Sequence, residues 1–100
     1  MDVEGSLSLP VTLSFSNLTL TEEHYVVVGN SHTITLPDPT NIIGRIYIIK
    51  AGNVGNLIIT RNNPLTDKID GSNLNITLAA YKYIQVQAIA ASNWIIIGQN

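Results

Sequence analysis

Two histidines and seven carboxylate side chains hold most of the chemistry this sequence could perform. Glu22-Glu23-His24 has the composition of one corner of a metal site, and His32 follows a little further on. A protein metal site needs three or four converging ligands. If the chain turns back at Gly29-Asn30, His32 falls opposite Val27 and His24 opposite Thr35, which keeps the imidazoles apart. Only a symmetric trimer would then gather three copies of one histidine on its axis, and no metal ligand is assigned. Asp67-Lys68-Ile69-Asp70-Gly71-Ser72-Asn73 sets oxygen ligands beside a glycine. It lacks the ligand count and closing glutamate of a calcium loop, and Asp70-Gly71 reads as a tight hairpin turn.

Catalytic motifs are missing as well. The sequence has no Ser-His-Asp arrangement, glycine-rich phosphate loop or HExxH helix. Glu22 with Glu23, or Asp67 with Asp70, would serve as the carboxylate pair of a glycosidase only if a cleft between subunits held the sugar between them. The expectation is therefore a protein that is not an enzyme and takes no cofactor, with a glycan hydrolase bearing an intersubunit site as the third reading. Trp94, Tyr47, Tyr81 and Tyr83 are candidates for stacking on sugar faces, with Asn and Gln amides to bond hydroxyls. The competing reading packs Trp94 at a subunit boundary with the tyrosines around it, because aromatic residues are enriched at interfaces.

Composition narrows the classes further. Of 100 residues, 45% are hydrophobic and only 12% charged, about half the roughly 25% usual in soluble domains. Asn, Ser and Thr must supply most of the wetted surface. Five basic residues and a net charge of -2 speak against nucleic acid, whose phosphates call for a basic patch. The absence of cysteine removes disulfides and thiolate metal sites. No apolar run is long enough for a membrane helix, and Met1-Asp2-Val3-Glu4-Gly5 lacks the basic start of a signal peptide. The length fits one domain, residues 1–100, with residues 1–20 as a candidate N-terminal attachment strand.

Strands must position these side chains, since Ile, Val and Thr abound while Ala, Glu, Lys and Arg are sparse. Leu7, Leu9, Val11, Leu13 and Phe15 alternate with polar residues, which predicts a strand with that apolar set buried. Pro10 cannot donate to a ladder and either puts this strand at a sheet edge or breaks it in two. Leu18 and Leu20 move the apolar set to even positions, so the register switches near Asn17. Tyr25–Val28 and His32–Leu36 flank Gly29-Asn30-Ser31 as a predicted hairpin. Further strands are predicted within 42–50, 57–60, 65–69, 74–78, 84–87 and 93–97, with turns at 51–56, 62–64 and 70–73. Asn17-Leu18-Thr19-Leu20-Thr21, Asn56-Leu57-Ile58-Ile59-Thr60 and Asn73-Leu74-Asn75-Ile76-Thr77 share a form, and their unequal spacing marks one strand-entry solution used three times rather than a repeat. The fold class is all-β, with short antiparallel strands forming a sandwich- or prism-like domain.

Several strands lack a polar face: Val26-Val27-Val28, Ile46-Tyr47-Ile48-Ile49, Leu57-Ile58-Ile59 and Ile95-Ile96-Ile97. In a two-layer domain one face of each sheet should meet water and read as polar. The second apolar face therefore needs cover, and a neighbouring subunit is its expected source. Val27, Ile46, Ile48, Ile58 and Ile96 are the expected interface residues.

Tyr25–Val28, Thr33–Pro39, Gly44–Lys50, Ile69-Asp70-Gly71 and Asn93–Gly98, taken in this order, resemble trimeric bacteriophage fibre and appendage modules of the tail-fibre and head-fibre C-terminal type. The likeness runs over about three quarters of the chain. It implies a homotrimeric β-rich segment of a virion surface appendage that either extends the fibre or presents a receptor-binding tip, with other virion proteins or a bacterial surface glycan as partners. A glycan-binding adhesion module of a bacterial cell-surface protein is the alternative.

Overall fold

The computed structural model describes residues 10–100. Strands make up nearly half of these residues, and the single helical element among them is a 3₁₀ turn at Pro39–Asn41. The chain is all-β. Its strands, in chain order, are β1 (Val11–Leu13), β2 (Leu18–Thr19), β3 (Val26–Gly29), β4 (Thr33–Leu36), β5 (Ile46–Ala51), β6 (Leu57–Arg61), β7 (Lys68–Ile69), β8 (Ile76–Leu78), β9 (Tyr83–Ala90) and β10 (Asn93–Gln99). They form a six-stranded sheet in the order β1-β3-β5-β9-β10-β7 and a four-stranded sheet in the order β2-β4-β6-β8.

From β1 to β8 the chain changes sheet at every strand, so it winds as a flattened coil. Within each sheet the strands of successive turns lie parallel. Val11 pairs with Val26 and Val26 with Ile48 in one sheet, and Leu18 pairs with Ile34 and Ile34 with Ile59 in the other. Antiparallel strands then close the end of the coil: β9 on β5, β10 on β9 and β8 on β6. Both sheets are thus mixed, and the expected purely antiparallel arrangement is corrected. Gly29-Asn30-Ser31 is not a hairpin but a corner that carries the chain from one sheet to the other. Its hydrogen bonds run to the next turn of the coil, with Ser31 N–H donating to Gly55 O and Gly52 N–H to Gly29 O.

The core lies between the sheets. One inward ladder from the six-stranded sheet is Val27, Ile49 and Ile84, and the other sheet answers with Ile34, Ile59, Leu36 and Leu57, all essentially inaccessible to water. Tyr47 and Trp94 fill the space beside them with ring centroids 5.7 Å apart. Leu7 and Leu9 fall outside the described residues. Val11, Leu13 and Phe15, expected to be buried, are 62%, 62% and 90% exposed. The inner side of β1 is taken by Thr12, which pairs with the buried Val27. Pro10 does precede an edge strand, as its missing donor requires.

A buried arginine fixes one loop. Arg61 is 3% exposed and donates to Asn73 O at 2.7 Å and Leu74 O at 2.6 Å, holding the 73–75 segment over the end of β6. Nearby, Asp70 and Gly71 both take positive φ, 52° and 76°, the requirement of a type I′ turn. The antiparallel bridge between Ile69 and Ser72 closes that turn.

Candidate functional site

Because side chains alternate across a strand, each apolar run divides between the core and an outer face. In β3, Val27 points inward while Val26 and Val28 are half-buried outside, and in β5, Tyr47 and Ile49 point inward while Ile46 and Ile48 do not. The parallel register sets these outer residues side by side: Val11, Val26 and Ile48 form one ladder, and Leu13, Val28 and Lys50 the next. With Ile46, the apolar members of these ladders make a stripe that runs across β1, β3 and β5, with Lys50 at its edge. On β9 the same face turns polar, as Gln87, Gln85 and Tyr83 pair with Ile46, Ile48 and Lys50.

The expected interface residues separate in this geometry. Ile46 and Ile48 lie on the stripe. Val27 is fully buried and belongs to the core, and Ile96 packs against that core from β10. The sequence could not assign either to a face, because a period of two cannot be phased inside an unbroken apolar run. Ile58 is on the outer face of the four-stranded sheet, between Thr33 and Thr77. That face is otherwise made of threonines, with Thr19, Thr35 and Thr60 in one ladder.

The aromatic candidates also divide. Trp94 and Tyr47 are each 1% exposed, so both are core residues and neither offers a face to a ligand. Tyr47 Oη donates to Thr21 O at 2.9 Å, and burial raises its pKa above the ordinary tyrosine value. Trp94 Nε1 is buried with no protein partner. Tyr81 is 61% exposed and Tyr83 half-buried, and these two stand together at the start of β9. Tyr81 has φ +63°, a conformation that costs a bulky residue about 1–3 kcal/mol. Its N–H donates to Gly52 O, and its own carbonyl accepts from Lys50 Nζ at 2.9 Å. Gly55, at φ +76°, packs so closely on the Ala79–Ala80 backbone that no Cβ fits there. The 51–56 loop and the 79–83 turn are thereby locked together.

His24 and His32 serve separate turns. His24 Nδ1 accepts from Thr21 N–H at 2.9 Å. His32 joins the first two turns of the coil, with Nδ1 bonded to Asn30 O at 2.7 Å and Nε2 to Ser14 Oγ at 2.9 Å. Asp67 is buried and its carboxylate accepts from Asn63 N–H, while Asp70 accepts from Ile96 N–H at 2.9 Å. These carboxylates are engaged with backbone, and among the described residues no three His, Asp or Glu side chains converge as metal ligands. Nor do the described residues enclose a pocket. Arg61 is what sequence reasoning missed, because it binds carbonyls with no motif of their own. The Tyr81 corner joins an expected stacking candidate to the 51–56 turn. Comparisons with protein-family models, curated proteins and solved structures returned no match.

Proposed function

We propose that this chain is a structural module that assembles with copies of itself through the outer face of its six-stranded sheet, as a segment of a trimeric fibre or surface appendage. The observation that carries the reading is the stripe of Val11, Leu13, Val26, Val28, Ile46 and Ile48, which is contiguous, uncharged and continuous with the exposed edge strand β1. Contiguous apolar patches of this kind mark interaction surfaces. A copy of the same face is a suitable cover because these six residues bear no charge and the one cation beside them, Lys50, stands at the edge of the stripe with its ammonium bonded to Tyr81 O. The number three and the setting, a bacteriophage virion appendage, follow the likeness in the residue order from Tyr25 to Gly98.

Chemical cross-linking of the chain at micromolar concentration tests this reading. The expected result is a ladder of bands that ends at three copies and that is lost when Ile46 and Ile48 are both replaced by Thr. Bands at the single-chain position alone would overturn it.

A further inference from the structure

The end of the molecule formed by the 51–56 loop and the 79–83 turn differs in charge from the rest. Lys50 stands at the end of β5 and Lys82 just before β9, and Ala51 N–H donates to Lys82 O, so the two ammonium-bearing residues are neighbours. The carboxylates of the described residues gather towards the opposite ends of these strands. Glu22, followed by Glu23, lends its carbonyl to Arg45 Nη1, and Arg45 O in turn accepts from Ala88 N–H. Asp38 caps the 3₁₀ turn that packs on β9 and β10. Asp70 N–H donates to Trp94 O, and Asp67 adjoins Lys68, whose N–H donates to Ser92 O. Among the described residues no acidic side chain stands at the Lys50–Lys82 end, where the one negative group is the terminal carboxylate of Asn100, whose Oδ1 accepts from Tyr83 N–H.

Aromatic and amide groups share that end. Tyr81 is held outward in a strained backbone conformation by Gly52 and Lys50, and Tyr83 lies two residues on, its N–H bonded to Asn100 Oδ1. Asn53, Val54 and Asn56 of the adjoining loop are exposed. A large aromatic kept in water at a cost in backbone strain points to use. Its flat face suits the C–H face of a sugar ring, the exposed amides suit hydroxyls, and two lysines suit carboxylate or sulfate groups. Two cations are too few for the phosphates of a nucleic acid, and the lack of an enclosed pocket fits a polymer lying across the surface.

We propose that this corner, built by Tyr81, Tyr83, Lys50, Lys82 and Asn53, binds an acidic polysaccharide. The site borders the self-association stripe, since Lys50 and Tyr83 lie on the same outer face of the six-stranded sheet. It adds to the module a ligand carrying uronate or sulfate groups along a sugar chain.

The test is electrophoresis of the full chain through gels containing polygalacturonate, with dextran gels as the neutral control and polyglutamate gels as the acidic-peptide control. Retardation by polygalacturonate alone, weakening as salt is raised, is the expected result. Lys82→Ala should weaken binding about fivefold. Tyr81→Gly should weaken it about tenfold or more while leaving the melting temperature unchanged or higher, because glycine takes positive φ without strain. A turn residue with no ligand would not show that combination. Absence of retardation, equal retardation by dextran or by polyglutamate, or undiminished binding by both variants would overturn the proposal. Light scattering on the same samples separates this outcome from failure of self-association.

Discussion

Ile48 and Ile49 are adjacent in sequence and face opposite ways, so the same substitution should do two different things. Ile49 is 0% exposed and pairs with Val27 and Ile84 in the inner ladder. Replacing it by Thr removes roughly two methylene equivalents at ~0.8 kcal/mol each and buries a hydroxyl at a cost of about 1–3 kcal/mol. The sum is about 2.6–4.6 kcal/mol. In a domain of this size each kcal/mol moves the melting temperature by about 4–8 °C, so Ile49→Thr should melt roughly 10–37 °C lower. Ile48 is half-buried on the outer face. Thr suits a solvent-facing strand position, and the isolated chain should change by no more than about 0.5 kcal/mol. Assembly should respond instead. Covering the remaining half of an isoleucine is worth about 1 kcal/mol per copy, or about 3 kcal/mol for three, which weakens association roughly 100-fold. The assay is thermal melting by circular dichroism, in dilute solution where the chains are dissociated, paired with solution mass at high concentration. The reasoning is refuted if Ile48→Thr melts as low as Ile49→Thr under dissociating conditions, or if it leaves the association constant unchanged.

Three further outcomes follow from the geometry. Arg61→Met should cost about 2–4 kcal/mol, because the Asn73 and Leu74 carbonyls lose a charged donor in a buried setting; loss of amide-exchange protection centred on residues 73–78 would locate the effect, and a uniform loss would contradict it. Gly55→Ala should cost about 2 kcal/mol or more, since a side chain there meets both an unfavourable positive φ and the Ala79–Ala80 backbone; an unchanged denaturant midpoint would show that the two loops are not locked. Tyr47 is neutral in both states below about pH 10. Above that the unfolded chain ionises first, because burial raises the folded pKa, so stability should fall as pH climbs through the ordinary tyrosine value. Tyr47→Phe should lack this component of the alkaline loss, and equal alkaline sensitivity of the two proteins would count against it.

What the sequence made legible was local. Asp70-Gly71 announced its turn because two consecutive positive φ angles need such residues. Gln85 and Gln87 revealed the phase of β9, since polar and apolar residues alternate cleanly there. Period-two alternation separates faces but does not name partners, and this explains the misread corner. A tight hairpin over Gly29-Asn30-Ser31 would bond across itself, whereas Ser31 alone takes positive φ and its N–H goes to Gly55, 24 residues away. Hydrophobic type also misassigned the inner side of β1, where Thr12 enters and Val11, Leu13 and Phe15 remain outside. That error points the same way as the apolar runs that first called for a covering subunit. Residue type likewise could not tell core from surface for the aromatics: the largest, Trp94 and Tyr47, fill the space between the sheets, while Tyr81 is held out at a turn.

The account depends most on whether the apolar stripe is covered by copies of the same chain. The most direct measurement is the solution mass of the 100-residue chain by light scattering after size exclusion, at micromolar concentration and in the absence of any ligand. Three times the single-chain mass of 10.9 kDa, reverting to one on replacement of both Ile46 and Ile48 by Thr, is the predicted result. A single-chain mass for the unsubstituted protein would contradict the account.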